Sequence, residues 1–287
     1  MPTFGRVVTA MVTPFRDDSS VDYDRAAALA QRLIDNGTDS LLVSGSTGES
    51  PTLAKDEKVQ LYRVVLDAVA GRAKVIAGTG SSSTEDSVAL TREAEAVGVD
   101  AALVVCPAYN KPSQEGLFEH YRAIAESTSL PIIVYNIPGR TGRNIDPDTL
   151  ARIADIENVV AIKESSGDFH AQITPVALST AGKCELYSGD DWATLPMLAV
   201  GAVGVVSVVS HVAGPQIQEM VRAFEGLDLQ RARELHWRLY PLFQVLFLPS
   251  SVNPAPVKSA LRMTGFDPGG VRLPLVPTTP EEDARIR

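Results

Sequence analysis

Short apolar segments alternate with amphipathic segments through most of the chain, and this alternation restricts the possible folds more than any other feature. The apolar segments are rich in β-branched residues and almost continuous in apolar character, as expected of strands buried on both faces of a parallel sheet. Eight strands are predicted, at residues 6–12, 40–44, 74–79, 100–106, 131–136, 158–164, 184–189 and 203–209. Helix-period segments separate them, at residues 22–36, 54–70, 84–97, 114–127, 146–156, 168–181, 191–200 and 213–226.

This regular alternation predicts an α/β fold, a (β/α)8 TIM barrel over residues 1–226. An open, doubly wound sheet is the alternative, but residues 12–15 after the first strand do not form a glycine-rich nucleotide turn. Two more helices are predicted at residues 228–247 and 256–264, followed by a proline-rich, charged tail. We therefore expect a C-terminal helical extension over residues 227–287, packed on the barrel or on a neighbouring subunit.

Composition and charge exclude several classes of protein. The chain has 26 Lys and Arg against 35 Asp and Glu, a net charge of −9, so nucleic acids and anionic membranes are unfavourable partners. The longest apolar run, residues 197–209, is interrupted by glycine and is too short to cross a bilayer. Without a secretory signal pattern the expected location is the cytoplasm. The four histidines and two cysteines show no metal-ligand spacing, so no metal is expected.

Catalytic residues are expected where the predicted strands end, because the active site of a TIM barrel lies at the C-terminal ends of its strands. Lys163 ends the sixth apolar run, and it is the only one of seven lysines in such a position. Burial disfavours its ammonium form and lowers its pKa, and a neutral amine can form a Schiff base with a carbonyl compound. The alternative is that Lys163 pairs with Glu164 and reaches solvent.

Residues 45–48, Gly-Ser-Thr-Gly, have the composition of an anion-binding turn. Small residues allow the backbone N–H groups to converge, and the hydroxyls of Ser46 and Thr47 lie beside them. The P-loop pattern is absent, which favours a carboxylate over a nucleotide. A simple turn between strand and helix is the alternative.

Three other residues near strand ends are candidates for proton transfer and binding. Tyr109 and Tyr135 can transfer protons if a hydroxyl such as that of Ser46 links them, or they can simply pack. Arg140 is flanked by glycines and can bind a second carboxylate in bidentate fashion, or it can remain a solvated loop residue.

Taken together, five motifs resemble the dihydrodipicolinate synthase/N-acetylneuraminate lyase family of pyruvate-dependent class I aldolases. The motifs are GSTGES at residues 45–50, YNKP at 109–112, YNIPGRTG at 135–142, IKE at 162–164 and SGDD at 188–191. The resemblance covers essentially the whole chain, from residue 8 to residue 275.

The resemblance implies that Lys163 forms an imine with pyruvate, whose enamine attacks aspartate semialdehyde in the diaminopimelate route to lysine. It places the pyruvate carboxylate on Ser46 and Thr47, near Gly189 and Val206. No metal or organic cofactor is implied, because the lysine itself activates the substrate.

The resemblance also implies roles for the remaining candidates. Tyr135 donates and accepts protons and is linked through Ser46 to Tyr109, which in this family reaches in from the neighbouring subunit. Arg140 holds the carboxylate of aspartate semialdehyde. A homotetramer, a dimer of tight dimers, is the expected assembly.

Some positions depart from the synthase pattern. Ser46 stands where synthases usually have threonine and where lyases also have serine, whereas Arg140 is typical of synthases. The synthase activity is therefore favoured over a related pyruvate lyase or aldolase that acts on a sugar acid or 2-oxo acid such as N-acetylneuraminate. A non-catalytic sensor of small carboxylates is the remaining alternative, disfavoured because the candidate catalytic residues are all present.

The pocket that binds lysine as a feedback inhibitor in this family also differs. Ala108 replaces a tyrosine, and Lys55 and Lys58 replace histidines often found there. Because cationic side chains repel the ammonium group of lysine, the sequence predicts little feedback inhibition.

Overall fold

The eight predicted strands are all present and run parallel, hydrogen-bonded in chain order into a closed barrel. The computed structural model describes residues 2–287. The strands are β1 (Val7–Ala10), β2 (Ser40–Val43), β3 (Lys74–Gly78), β4 (Ala101–Val105), β5 (Ile132–Asn136), β6 (Val159–Glu164), β7 (Glu185–Ser188) and β8 (Gly204–Ser207). The predicted (β/α)8 architecture is confirmed, with strands slightly shorter than expected.

Helices follow the strands as the periodicity predicts. Those described within residues 2–287 are α1 (Tyr23–Asp35), α2 (Lys55–Val69), α3 (Thr84–Val97), α4 (Gln114–Ala125), α5 (Pro138–Thr141), α6 (Pro147–Ile153), α7 (Thr174–Thr180), α8 (Thr194–Ala199), α9 (Ser210–Glu225), α10 (Leu229–Val245), α11 (Ala255–Met263) and α12 (Pro280–Ile286). No helix of this described part combines the length and apolar character needed to cross a membrane.

Two of these helices, α5 and α12, were not expected from the sequence. Helix α5 has only four residues, too few for an apolar period to be recognised. Helix α12 lies in the segment predicted to be an irregular tail, and its start is fixed by a capping box. The Thr279 hydroxyl accepts from the backbone N–H of Glu282, whose carboxylate accepts from the N–H of Thr279.

The chain packs as two compact units. One comprises Ile76–Val206 together with the described residues before Phe4, and the other comprises Phe4–Val75 and Ser207–Arg287. The first unit contains β4 to β7, whose residues are almost entirely buried. Its helix α3 begins after an N-cap serine, Ser83, whose hydroxyl accepts from the backbone N–H of Asp86.

The second unit combines the first two strands with the helices that end the chain. Helix α10 packs against α9, and α11 packs against α9 and α12. The boundary predicted after residue 226 falls in the connection between α9 and α10 and remains a prediction. The side chains of Asn253 and Lys258 and the backbone N–H of Arg272 contact the loop after β2, within this same unit.

Candidate active site

Lys163 lies near the C-terminal end of β6 with only 5% of its surface exposed. Strand pairing places it opposite Tyr135 of β5, and its Nζ lies 4.0 Å from the centroid of the Tyr135 ring. Tyr135 is also buried, and burial raises the pKa of its phenol. The structure therefore brings together two of the predicted catalytic side chains, an amine and a protonated phenol.

The pKa of Lys163 reflects its surroundings. Burial lowers it from 10.5 to about 8, the Asp190 and Asp191 carboxylates oppose this shift, and the Arg140 guanidinium reinforces it. Burial also raises the pKa of Asp190 to about 6. At neutral pH about one-tenth of Lys163 is thus the neutral amine needed for attack on a carbonyl carbon.

Glu164, the neighbour of Lys163, has hydrogen-bond partners of its own. Its carboxylate accepts from Asn136 Nδ2 at 3.0 and 3.2 Å, from Gln172 Nε2 at 3.2 Å and from the backbone N–H of Ser166 at 2.7 Å. Successive residues of a strand point to opposite faces, so Glu164 and Lys163 diverge. This network occupies the carboxylate that was the alternative partner of Lys163.

Gly189, predicted to bind substrate, packs directly against the Lys163 side chain. A Cβ atom added at this position would overlap Ser165 Oγ and would lie 3.0 Å from Lys163 Cε. Only glycine fits without displacing one of these groups. The remaining predicted residue of this region, Val206, is buried in β8.

Tyr109 and Arg140 lie at the surface of the same unit. The Tyr109 side chain is 94% exposed, and its backbone adopts a left-handed conformation with φ 73°. In the single chain it therefore stands outside the buried cluster formed by Lys163 and Tyr135. Arg140 belongs to the short helix α5, is exposed, and is close enough to influence the pKa of Lys163.

Ser46 and Thr47 belong to the other unit, in the loop that follows β2. Ser46 is half-buried, whereas Thr47 is buried and its Oγ1 accepts a 2.9 Å hydrogen bond from Asn253 Nδ2. The Thr13 hydroxyl donates to the carbonyl of Gly48 at 2.6 Å. The loop is therefore ordered by side chains outside it.

A second lysine, Lys258 of α11, is also buried, with 1% of its surface exposed, and its burial was not predicted from the sequence. Its Nζ donates to Glu49 Oε1 at 2.7 Å and to the carbonyl of Gly270 at 2.6 Å, and it lies 4.3 Å from the Phe15 ring centroid. Burial lowers its pKa to about 8 and Glu49 opposes the shift. Glu49 is part of the GSTGES motif, and this position in the motif is the only feature of the sequence that pointed to the ion pair between Glu49 and Lys258.

Metal ligands are not clustered in this structure. Within residues 2–287, no group of three or more His, Cys, Asp and Glu side chains has an arrangement that could hold a metal ion. Of the two cysteines, Cys106 is buried and Cys184 is half-buried.

Comparison with known proteins gives a consistent result over nearly the whole chain. The sequence profile of the Dihydrodipicolinate synthetase family matches residues 3–287. The 4-hydroxy-tetrahydrodipicolinate synthase of Moorella thermoacetica is 55% identical over 283 residues, covering 99% of this chain and 96% of that protein.

The chain is also similar over its full length to solved structures of dihydrodipicolinate synthases. Dihydrodipicolinate synthase from Bacillus anthracis superposes with a TM-score of 0.96 at 50% identity, covering 100% of this chain and 97% of that one. The enzyme from Cyanidioschyzon merolae, solved with lysine bound, superposes with a TM-score of 0.97 at 45% identity and the same coverage.

Proposed function

The chain belongs to the dihydrodipicolinate synthetase family, and on that basis we propose that it is a 4-hydroxy-tetrahydrodipicolinate synthase, which condenses pyruvate with aspartate semialdehyde. It is thus a lyase of the class I aldolase type. The main support from its own residues is the buried amine of Lys163 against the Tyr135 ring at the end of β6. The 55% identity to a synthase disfavours the alternative of an N-acetylneuraminate lyase.

The reaction begins with the neutral amine of Lys163. It attacks C2 of pyruvate, and loss of water gives an imine. Removal of a proton from C3 gives the enamine, whose C3 forms a bond to the aldehyde carbon of aspartate semialdehyde. The amino group of the adduct then attacks C2, closes the ring and releases Lys163 as a free amine. The nitrogen of the iminium ion takes up the electron pair when C3 loses its proton and returns it to C3 when the carbon–carbon bond forms, which is the role of covalent catalysis by lysine.

Each of these steps moves a proton, and we assign this to Tyr135, Ser46 and Tyr109. Because burial raises the pKa of Tyr135, its phenol is protonated at the start and acts first as an acid. Ser46 passes protons between Tyr135 and a Tyr109 side chain supplied by a second copy of the chain. The exposure of Tyr109 in the single chain supports this assignment and, with it, a homotetramer built from tight dimers.

The carboxylates are assigned to separate groups. Ser46 and Thr47 are assigned to the carboxylate of pyruvate, and Gly189 and Val206 are assigned to pyruvate binding. Arg140 binds the carboxylate of aspartate semialdehyde. As a biosynthetic enzyme of lysine synthesis, the protein is assigned to the cytoplasm, as expected from the sequence.

The direct test is a coupled assay of purified protein with pyruvate, aspartate semialdehyde and dihydrodipicolinate reductase, followed by NADPH consumption. We expect consumption that requires both substrates. If there is no consumption but borohydride still traps pyruvate on the protein, the chain is a related aldolase. If there is neither consumption nor trapping, the sensor alternative is favoured.

Replacing Arg140 with alanine should impair the use of aspartate semialdehyde far more than imine formation with pyruvate, which it alters only through its effect on the pKa of Lys163. Hydrogen bonds to a charged group contribute about 1.5–3 kcal/mol, so KM for the semialdehyde should rise about 10–100-fold. Arg140→Lys keeps the charge but loses the bidentate geometry, so its KM for the semialdehyde should lie between the values of the wild type and of Arg140→Ala. Steady-state kinetics and borohydride trapping measure the two effects, and equal damage to both would indicate a structural role.

Millimolar lysine should leave the rate of the coupled assay nearly unchanged. Lys55 begins α2 and is exposed, and Lys58 lies in the same helix, half-buried, so both can repel a lysine ammonium group. The synthase from Cyanidioschyzon merolae binds lysine in its solved structure, which makes it a positive control. Strong inhibition of the present protein would contradict this prediction.

A further inference from the structure

The loop after β2 is held from outside at three successive residues, Thr47, Gly48 and Glu49. Asn253 contacts the first, Thr13 the second and Lys258 the third, at 2.9, 2.6 and 2.7 Å. Asn253 and Lys258 come from the C-terminal part of the chain, more than 200 residues away. The loop that carries the proposed pyruvate-binding hydroxyls is therefore fixed by the C-terminal extension.

The contact between Asn253 and Thr47 has a defined polarity. An amide nitrogen only donates, so Thr47 Oγ1 must accept from Asn253 Nδ2. A hydroxyl has one hydrogen and two lone pairs, and this hydrogen bond uses a lone pair. The O–H of Thr47 is therefore not used in this contact and can donate in another direction.

An ion pair anchors the loop on the other side of Gly48. The Glu49 carboxylate accepts from Lys258 Nζ and, through its second oxygen, from the backbone N–H of Arg272 at 2.9 Å. Glu49 has φ 58°, and Ser44 at the start of the loop has the same value, so two non-glycine residues hold the left-handed conformation. Such backbone persists only where surrounding contacts enforce it.

We propose that Asn253 is a positioning residue for pyruvate. It occupies the accepting side of the Thr47 hydroxyl and so directs the Thr47 O–H toward the substrate carboxylate. Asn253 acts through Thr47 and need not touch the substrate. The inference rests on the proposed function, in which Thr47 binds the carboxylate of pyruvate.

The test compares Asn253→Asp with Asn253→Ala. The aspartate is nearly isosteric, but its carboxylate accepts from the Thr47 O–H, which reverses the hydrogen bond and adds charge of the same sign as the substrate. We expect KM for pyruvate to rise about tenfold or more in Asn253→Asp and only a few-fold in Asn253→Ala. KM for aspartate semialdehyde should stay near the wild-type value in both.

Two further readouts separate positioning from a structural role. Lowering the pH protonates the carboxylate introduced by Asn253→Asp and restores a donor toward Thr47, so the ratio of the variant's pyruvate KM to that of the wild type should fall. In a Thr47→Val background, which has no hydroxyl to orient, Asn253→Ala should have little added effect, because the two residues act through one contact.

The inference is overturned if Asn253→Ala is more damaging than Asn253→Asp, or if both substrates are affected equally. Thermal unfolding identifies an unfolded variant. If Asn253→Asp does not fold, the test uses Asn253→Ala alone. A rise in KM for pyruvate but not for aspartate semialdehyde, absent in the Thr47→Val background, supports positioning. Any other pattern contradicts it. A wild-type protein that neither traps pyruvate nor consumes NADPH would instead reject the proposed function.

Discussion

Replacing Lys163 with alanine should abolish trapping of pyruvate by borohydride and lower kcat by a factor on the order of 10⁴ or more, because the covalent intermediate cannot form. The trapped adduct is measured by mass spectrometry of the intact protein and the rate by the coupled assay. The matched control is Lys183→Ala, which removes an exposed lysine paired with Asp155 at 2.6 Å. This control should trap pyruvate like the wild type.

The same experiment tests the environment of Lys163 through its pH dependence. The neutral amine increases as pH rises, so the initial rate of trapping by the wild type should climb through about pH 8 and level off above it. At pH 7 about one-tenth of such an amine is neutral, whereas an unshifted lysine would have less than about a thousandth. Turnover by Lys163→Ala, or a profile still rising above pH 10, would contradict the proposed role.

Replacing Gly189 with alanine should lower kcat/KM for pyruvate by about 100-fold, although a single methyl group is added. The new Cβ would overlap Ser165 Oγ and press on Lys163 Cε, so the amine moves relative to the ring of Tyr135. Displacements of about 1 Å at reacting groups are worth about that factor. The measurements are the rate of pyruvate trapping and steady-state kinetics.

A second substitution shows whether that loss arises from the overlap. Ser165→Ala removes the nearest atom, and the remaining contact is with the flexible stem of Lys163. The double variant Gly189→Ala, Ser165→Ala should therefore recover much of the activity lost in the single variant. A double variant as impaired as the single one would show that Gly189 acts in another way.

The sequence allowed the barrel to be predicted because strand and helix periods are local signals, repeated eight times. Helix α5 escaped because four residues do not define a period. Helix α12 had a recognisable start in Thr279 and Glu282, but its proline-rich, charged composition suggested a tail. The predicted bounds of strands and helices otherwise differ from the structure by a few residues.

Only some residues of the candidate site could be predicted from the sequence. Lys163 could be found because a lysine at the end of an apolar strand is unusual. Asn253 and Lys258 could not, since their partners Thr47 and Glu49 are 206 and 209 residues away in the chain. A lysine in an amphipathic helix ordinarily lies on the solvent face, so nothing near position 258 indicates burial.

The two buried lysines also show why pKa alone does not identify a nucleophile. Each lies over an aromatic ring, and burial lowers each pKa to about 8. Lys258, however, donates hydrogen bonds to a carboxylate and to a carbonyl, and both contacts stabilise its charged ammonium form. Lys163 lies near the C-terminal end of a barrel strand, where TIM-barrel active sites are found. Partners and position separate the structural lysine from the reactive one.

The division of the chain between the two compact units has a consequence for its synthesis on the ribosome. Residues 76–206 form a continuous stretch, so the contacts within it need no residue translated after position 206. Phe4–Val75, in contrast, shares its unit with Ser207–Arg287, which are translated later. Glu49 precedes Lys258 by 209 residues, which at about 5–20 residues per second is a delay of roughly 10–40 s. Throughout that interval the nascent loop that bears Thr47 lacks its ion pair with Lys258, so the loop gains its full set of contacts long after its own synthesis.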